Sequence, residues 1–257
     1  MPTETQIREA KEFLLKRIDA EISAERNIRK YMSDAAMEIV SISVRYRIPP
    51  RLFRFSADKN LEMEVDRVLG ELKDKIVYAT ERLSVYDRED DMDGILSFMG
   101  MERFGKTFRE RDSIYVNRYK YELEAAVAAG MLYGKAKEEI SDAIKVNLES
   151  PFNNEDIKGS FGKGMAATRI KSRGISYGAG RSNSAYNMIR YLSRNEIASA
   201  WMWWYGMDAS RNGARGFYSF RGSSYPCALC DDMAGYHRID EFRYHWHPNC
   251  RCFFVFV

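Results

Sequence analysis

Five side chains near residue 250 hold most of this sequence's capacity for metal chemistry: Cys227, Cys230, His247, Cys250 and Cys252. All 4 cysteines and all 3 histidines of the 257 residues fall within YPCALCDDMAGYHRIDEFRYHWHPNCRC. Cys227-x-x-Cys230 has knuckle spacing: two thiolates three residues apart converge on one ion, and amides of the turn can donate to the sulfurs. Sixteen residues separate Cys230 from His247-Pro248-Asn249-Cys250, which Arg251 and Cys252 follow. Two ligand pairs divided by a loop of that length suit a tetrahedral structural zinc. The expected ligand set is Cys227, Cys230, His247 and Cys250, with Cys252 replacing His247 as the four-cysteine alternative. His245 is a weaker candidate, and His237 reads as a loop residue. Four protein ligands leave no open position, so such an ion holds structure and performs no chemistry. A disulfide pairing and unligated thiols are the competing readings. The polar N-terminal MPTETQIREAKEF is no secretory signal, so a reducing cytosol is the expected setting, where clustered cysteines favour metal.

Three enzyme chemistries share pieces of these motifs and fail on others. GMERFGKT (100–107) matches the phosphate-loop pattern. That mechanism needs a strand before it, a helix after it and small residues where the backbone curls round a phosphate. Met101, Glu102, Arg103 and Phe104 are bulky there, and no downstream strand offers a magnesium-supporting aspartate, so a chance match is the better reading. Pro226-Cys227-x-x-Cys230 is half of a zinc-deaminase signature, but no His or Cys precedes Cys227 to supply the other half. A Cys–His nucleophile pair would need a cysteine apart from the ligand-spaced four, and there is none.

The elements that must position the cluster read as mainly helical, with a small α+β part around the cysteines. TETQ (3–6) has the form of a capping box, and a long helix follows through Ile7, Leu14, Ile18, Ile22, Met32 and Ile39 until Pro49 and Pro50 stop it. Leu61, Val65, Val68, Leu72, Ile76, Ala79 and Leu83 recur at spacings of three and four, which puts them on one stripe of a second helix. The two helices are expected to form an antiparallel pair or a stem. Two more helices are expected over 110–132, with Tyr115, Tyr119, Leu123 and Val127 inward, and over 135–148, with Ile140, Ile144 and Leu148 inward. A last long helix through SAYNMIRYLSRNEIASAWMWWYGMD carries Trp201 and Trp204 as core anchors. GFYSF and RCFFVFV then read as short strands. This gives three expected regions: a helical N-terminal part (1–150), a Gly-rich basic linker (151–183) and a C-terminal domain with the Cys/His cluster (184–257). A β-rich tail this short buries too little apolar surface to hold itself, which is the physical need for a metal staple.

Apolar content of 45% and charged content of 30% exclude a disordered chain, and no run of eighteen apolar residues marks a membrane span. The net charge of +3 is unevenly placed. Lys158 to Arg221 holds eleven Lys and Arg against Glu196 and Asp208, a local net of +9 that leaves −6 elsewhere. Such a block is suited to non-specific contact with DNA or to an acidic protein surface.

RYLSRNEIASAWMWWYGMD, then CALCDDMAG, then HPNCRC resembles the Mu F-like minor head proteins of tailed phages, also called phage head morphogenesis proteins. The residues that carry the resemblance are Arg194 and Glu196; Cys227 and Cys230; Asp232 and Gly235; His247, Pro248, Cys250, Arg251 and Cys252. Asn195 stands where that family usually has threonine, and RGSSYPC departs from its usual lead into the first cysteine. The resemblance covers about the last 75 residues. It implies a low-copy virion protein, made in the host cytoplasm and placed inside the head near the portal vertex. Such a protein contacts portal or major capsid protein, aids assembly, packaging or ejection, and has no enzymatic activity. The alternatives are a zinc-stapled nucleic-acid-binding protein presenting Arg238, Arg243 and Arg251, and a metal-dependent hydrolase or toxin.

Overall fold

A computed structural model of the chain describes residues 1–85, 108–149, 184–222, 227–248 and 250–257. The phosphate-loop match, the 151–183 linker and with it the first part of the Lys158–Arg221 basic block, up to residue 183, lie outside the described residues. The described chain is mostly helical, with one small antiparallel sheet. The helices are α1 (Glu4–Arg45), α2 (Lys59–Leu83), α3 (Phe108–Leu132), α4 (Lys137–Glu149), α5 (Ala185–Arg211) and the short α6 (Ala228–Asp232). The strands are β1 (Gly216–Phe220), β2 (Gly235–Arg238) and β3 (Phe253–Phe256), in the order β2-β1-β3. No described helix is long and apolar enough to cross a membrane. The fold divides into two compact units assembled from non-contiguous segments. Unit A takes Met1–Glu25, Thr80–Phe108 and Tyr191–Val257; unit B takes Arg26–Ala79 and Arg109–Arg190.

Unit B is a helical bundle. Ile28, Met32, Ile39 and Ile42 of α1 bury against Leu61, Val65, Val68, Leu72 and Ile76 of α2. Glu38 meets Arg67 at 2.7 Å, and Arg45 meets Glu64 at 2.7 Å, so the numbering falls along α1 as it rises along α2. The pair is antiparallel. Tyr119, Leu123 and Val127 of α3 and Ile140, Ile144 and Leu148 of α4 close the same core. Tyr115 packs partly buried against it. Each fully buried aliphatic side chain of this kind stabilises the bundle by roughly 1.5–3 kcal/mol.

Unit A begins with the capping box. The Gln6 amide donates to Thr3 Oγ1 at 3.2 Å, and the Thr3 amide donates to Gln6 Oε1 at 2.8 Å. Two apolar layers sandwich the sheet. Strand alternation sends Phe217 and Phe254 to one face, where Phe13, Ala24, Ile197, Trp201 and Met202 cover them. On the other face, Phe253 and Val255 pack against Ala10 and Leu14 of α1. Trp201 is buried and donates its indole N–H to the Leu83 carbonyl at 2.8 Å; Trp204 lies partly buried in the same layer.

Two sequence expectations change here. Ile22 is 39% exposed, because the buried stripe of α1 in this unit runs through Ala10, Leu14, Arg17, Glu21 and Ala24. That stripe keeps helical spacing but includes two charged residues, so apolar pattern alone shifts it. His237 belongs to β2, paired opposite Phe217, and is not a loop residue. GYHR has no alternation of its own; pairing with β1 makes it a strand.

A candidate metal centre

The short helix α6 sets the first two thiols. Cys227 is its N-cap, with extended backbone, and Cys230 lies one turn on, so both sulfurs reach the same side. The Asp231 amide closes that turn onto the Cys227 carbonyl at 3.0 Å. His247 opens the second ligand segment, where the Cys250 amide donates to the His247 carbonyl at 3.0 Å. The ring is oriented by its other nitrogen. Nδ1 lies 2.9 Å from the Pro248 carbonyl, which can only accept, so Nδ1 carries the proton and Nε2 keeps its lone pair.

That lone pair faces the thiols: Nε2 is 3.0 Å from Cys230 Sγ and 3.3 Å from Cys227 Sγ. Cys230 Sγ is 3.7 Å from Cys250 Sγ, and the Cys252 amide donates to Cys250 Sγ at 3.4 Å. The donors form two triads that share one sulfur: Cys227, Cys230 and His247, and Cys230, Cys250 and Cys252. Within each triad every ligand atom lies within 4.8 Å of the others. The cluster can hold a metal ion. A tetrahedral ion with sulfur at ~2.3 Å and nitrogen at ~2.0–2.1 Å has S···S edges near ~3.8 Å and S···N edges near ~3.5 Å. The Cys230–Cys250 separation matches the first of these, and the two imidazole contacts are slightly shorter than the second. All four cysteines are free thiols, so the disulfide reading finds no bond here.

Without an ion the thiols divide the available charge. Hydrogen bonding from Cys252 holds Cys250 down at about 5, and burial pushes Cys230 up to about 12. Cys252 is pushed up by its hydrogen bond with Cys250 and then by burial, while backbone and side-chain hydrogen bonds at Cys230 lower Cys227. Sulfurs this close cannot all ionise unless a cation joins them. A divalent ion would resolve the conflict and release protons on binding.

Around the cluster runs a buried charge network that the sequence reading did not anticipate. Glu21 of α1 is 2% exposed. Its Oε2 accepts from Arg251 Nη1 at 2.7 Å and Arg194 Nε at 3.3 Å, and its Oε1 faces Arg17 Nε at 3.4 Å. Arg17, almost fully buried, donates through Nη2 to the Cys250 carbonyl at 3.1 Å. Three segments thus meet: α1, α5 and the tail. Glycine is required where the chain leaves β1, since a Cβ on Gly222 would collide with the backbone oxygen of Arg251.

The other expected residues are not ligands. Ser199 donates to the Asn195 carbonyl, so His245 Nδ1, 3.3 Å from the Ser199 oxygen, is the donor there. His237 Nε2 donates to the Met233 carbonyl at 3.0 Å. Glu196 is buried on α5, Asp232 is exposed at the end of α6, and Gly235 takes a φ of 120° at the start of β2. Arg238 pairs with Asp240 at 3.0 Å, and Arg251 is turned to Glu21. Two of the three arginines that a nucleic-acid module would present are therefore engaged within the chain. No family model, curated protein or solved structure matches the chain.

Proposed function

We propose that the chain is a structural protein of a phage head, a minor component near the portal vertex, whose tail is held by one tetrahedral zinc ion. The observation that carries this reading is the convergence of the residues behind the motif resemblance. Arg194 comes from α5, Cys227 and Cys230 from α6, and His247, Cys250, Arg251 and Cys252 from the last segment. The two arginines share the Glu21 carboxylate, while the thiols and the imidazole form the donor cluster. Motif members scattered over about 60 residues that meet at one ion site and one buried carboxylate act to fix segments to each other.

Zinc is the ion that the donors favour, since thiolates with one imidazole at tetrahedral edge lengths suit it. When bound it supplies a cross-link between the α6 segment and the last segment, added to the apolar layers that cover the sheet. His247 is held in the ligating tautomer by Pro248, and Arg17 holds the Cys250 carbonyl. These residues position ligands; no role in a reaction is assigned to them.

The test is mass spectrometry of purified particles and of isolated portal complexes, with metal analysis of the purified chain. The expected result is the chain at low copy in both, with one zinc per polypeptide. Particles and portals without it would remove the virion assignment, and a folded, zinc-free chain would remove the staple.

A further inference from the structure

A cleft of about 300 Å³ lies within unit B, between α1 and α4. Arg26, Arg29 and Lys30 line it from α1, and Lys145 lines it from α4. Asp34 is the one carboxylate in the lining, so four cations against one anion leave a formal excess of +3. Among the described residues Arg26, Lys30 and Lys145 form no ion pair. Arg29 is held by Tyr186: its guanidinium sits 6.0 Å from the ring centroid, and its Nε donates to the phenolic oxygen at 3.4 Å. Arg190 approaches the same ring at 5.8 Å and adds a further cation nearby.

Spacings of three and four place Arg26, Arg29, Lys30 and Ser33 on one face of α1, with Arg26 and Lys30 a turn apart, about 6 Å along the axis. Like charges so arranged weaken a helix, and an anion lying among them reverses that effect. We propose that this cleft binds the phosphodiester backbone of a nucleic acid. Apart from Leu148, in the last turn of α4, every lining residue lies inside a helix, where backbone amides and carbonyls are already paired. An acidic peptide would find no run of free main-chain groups here to pair with. A phosphate strand needs none. Cationic side chains on flexible stems and the Ser33 hydroxyl are the groups that contact phosphate oxygens without reading sequence. The proposal stands whether or not the virion assignment does.

The experiment titrates the full chain with a fluorescein-labelled DNA duplex of mixed sequence across about 50–200 mM salt. The Lys30→Gln/Lys145→Gln variant is compared with the wild type and with a Lys59→Gln/Lys75→Gln control. All four lysines are exposed, so folding is expected to persist, and circular dichroism checks it. In the cleft variant the slope of log affinity against log salt should become shallower by about 2, whatever the duplex sequence. The control should keep the wild-type slope. A wild type that ignores the duplex, or a cleft variant with an unchanged slope, would overturn the proposal. So would inorganic phosphate binding in the cleft with no duplex binding, which marks a free-anion site, or an acidic peptide that binds more tightly than the duplex.

Discussion

Glu21 Oε2 lies 2.7 Å from Arg251 Nη1, although 230 residues separate them in sequence. Because Arg17 and Arg194 face the same carboxylate, Glu21 is the one acid that three guanidiniums share. Glu21→Gln should therefore destabilise unit A by about 3–5 kcal/mol, the cost of leaving buried charge without its partner. Denaturant unfolding followed by tryptophan fluorescence measures this, since Trp201 and Trp204 lie in that unit. A loss below about 1 kcal/mol would mean that water compensates the arginines.

Cys230 is the sulfur common to both donor triads. Cys230→Ser should lower metal affinity by more than the ~10–100-fold that loss of an outer-shell partner costs. Cys252→Ser should keep one metal per chain, because Cys227, Cys230, His247 and Cys250 complete the proposed tetrahedral set and the residue 252 amide still donates to the Cys250 sulfur. Competition with a chromogenic chelator measures both. If Cys252→Ser loses the ion and His247→Ala keeps it, the site is the four-cysteine alternative.

Removing the metal should act on unit A selectively. Exchange protection is expected to fall across residues 227–257 in chelator, while amides of α2 and α3 in unit B keep theirs, because their core contains no ligand. Hydrogen exchange with mass readout resolves the two. Uniform loss of protection would show that the ion holds far more than the tail.

Two buried carboxylates on α3 make stability pH-dependent. Burial pushes Asp112 up to about 7, against a smaller opposing pull from Lys73. Burial also pushes Glu122 up to about 7, opposed by the Ala185 amide and by Arg118. A carboxyl raised in the folded state favours folding in its protonated form. That contribution is complete below the unfolded value near pH 4, and it fades as pH climbs through about 7. Thermal unfolding should thus occur at lower temperature at pH 8.5 than at pH 5.5. Among the described residues neither Asp112 oxygen has a hydrogen-bond partner, so Asp112→Asn should flatten much of this slope. It should also stabilise the chain at pH 8.5 by up to about 4 kcal/mol. A slope unchanged in Asp112→Asn would place the ionisation elsewhere.

What the sequence disclosed follows the range of the forces involved. The Thr3–Gln6 box and the stripe from Leu61 to Ile76 are local patterns, and both stand in the structure. The thiols and His247 were legible because metal spacing is also local. Arg17 and Glu21 were not, since buried charged residues disappear from an apolar pattern while obeying its period. β2 was hidden for a related reason: Gly235–Arg238 becomes a strand only through pairing with β1. Ile22 misled because it stands beside the buried stripe, offset by one position from Glu21.

The packing of Ala10 and Leu14 beneath Phe253 and Val255 has a consequence for synthesis on the ribosome. Unit B has every segment it requires once residue 190 has emerged, so it is free to fold early. The opening turns of α1 must instead wait, greasy side uncovered, for the tail: Cys250, whose carbonyl Arg17 holds, is translated 233 positions after it, and β3 follows later still. During that interval they are natural clients for a chaperone, and a chain stalled before Phe253 would be prone to clump.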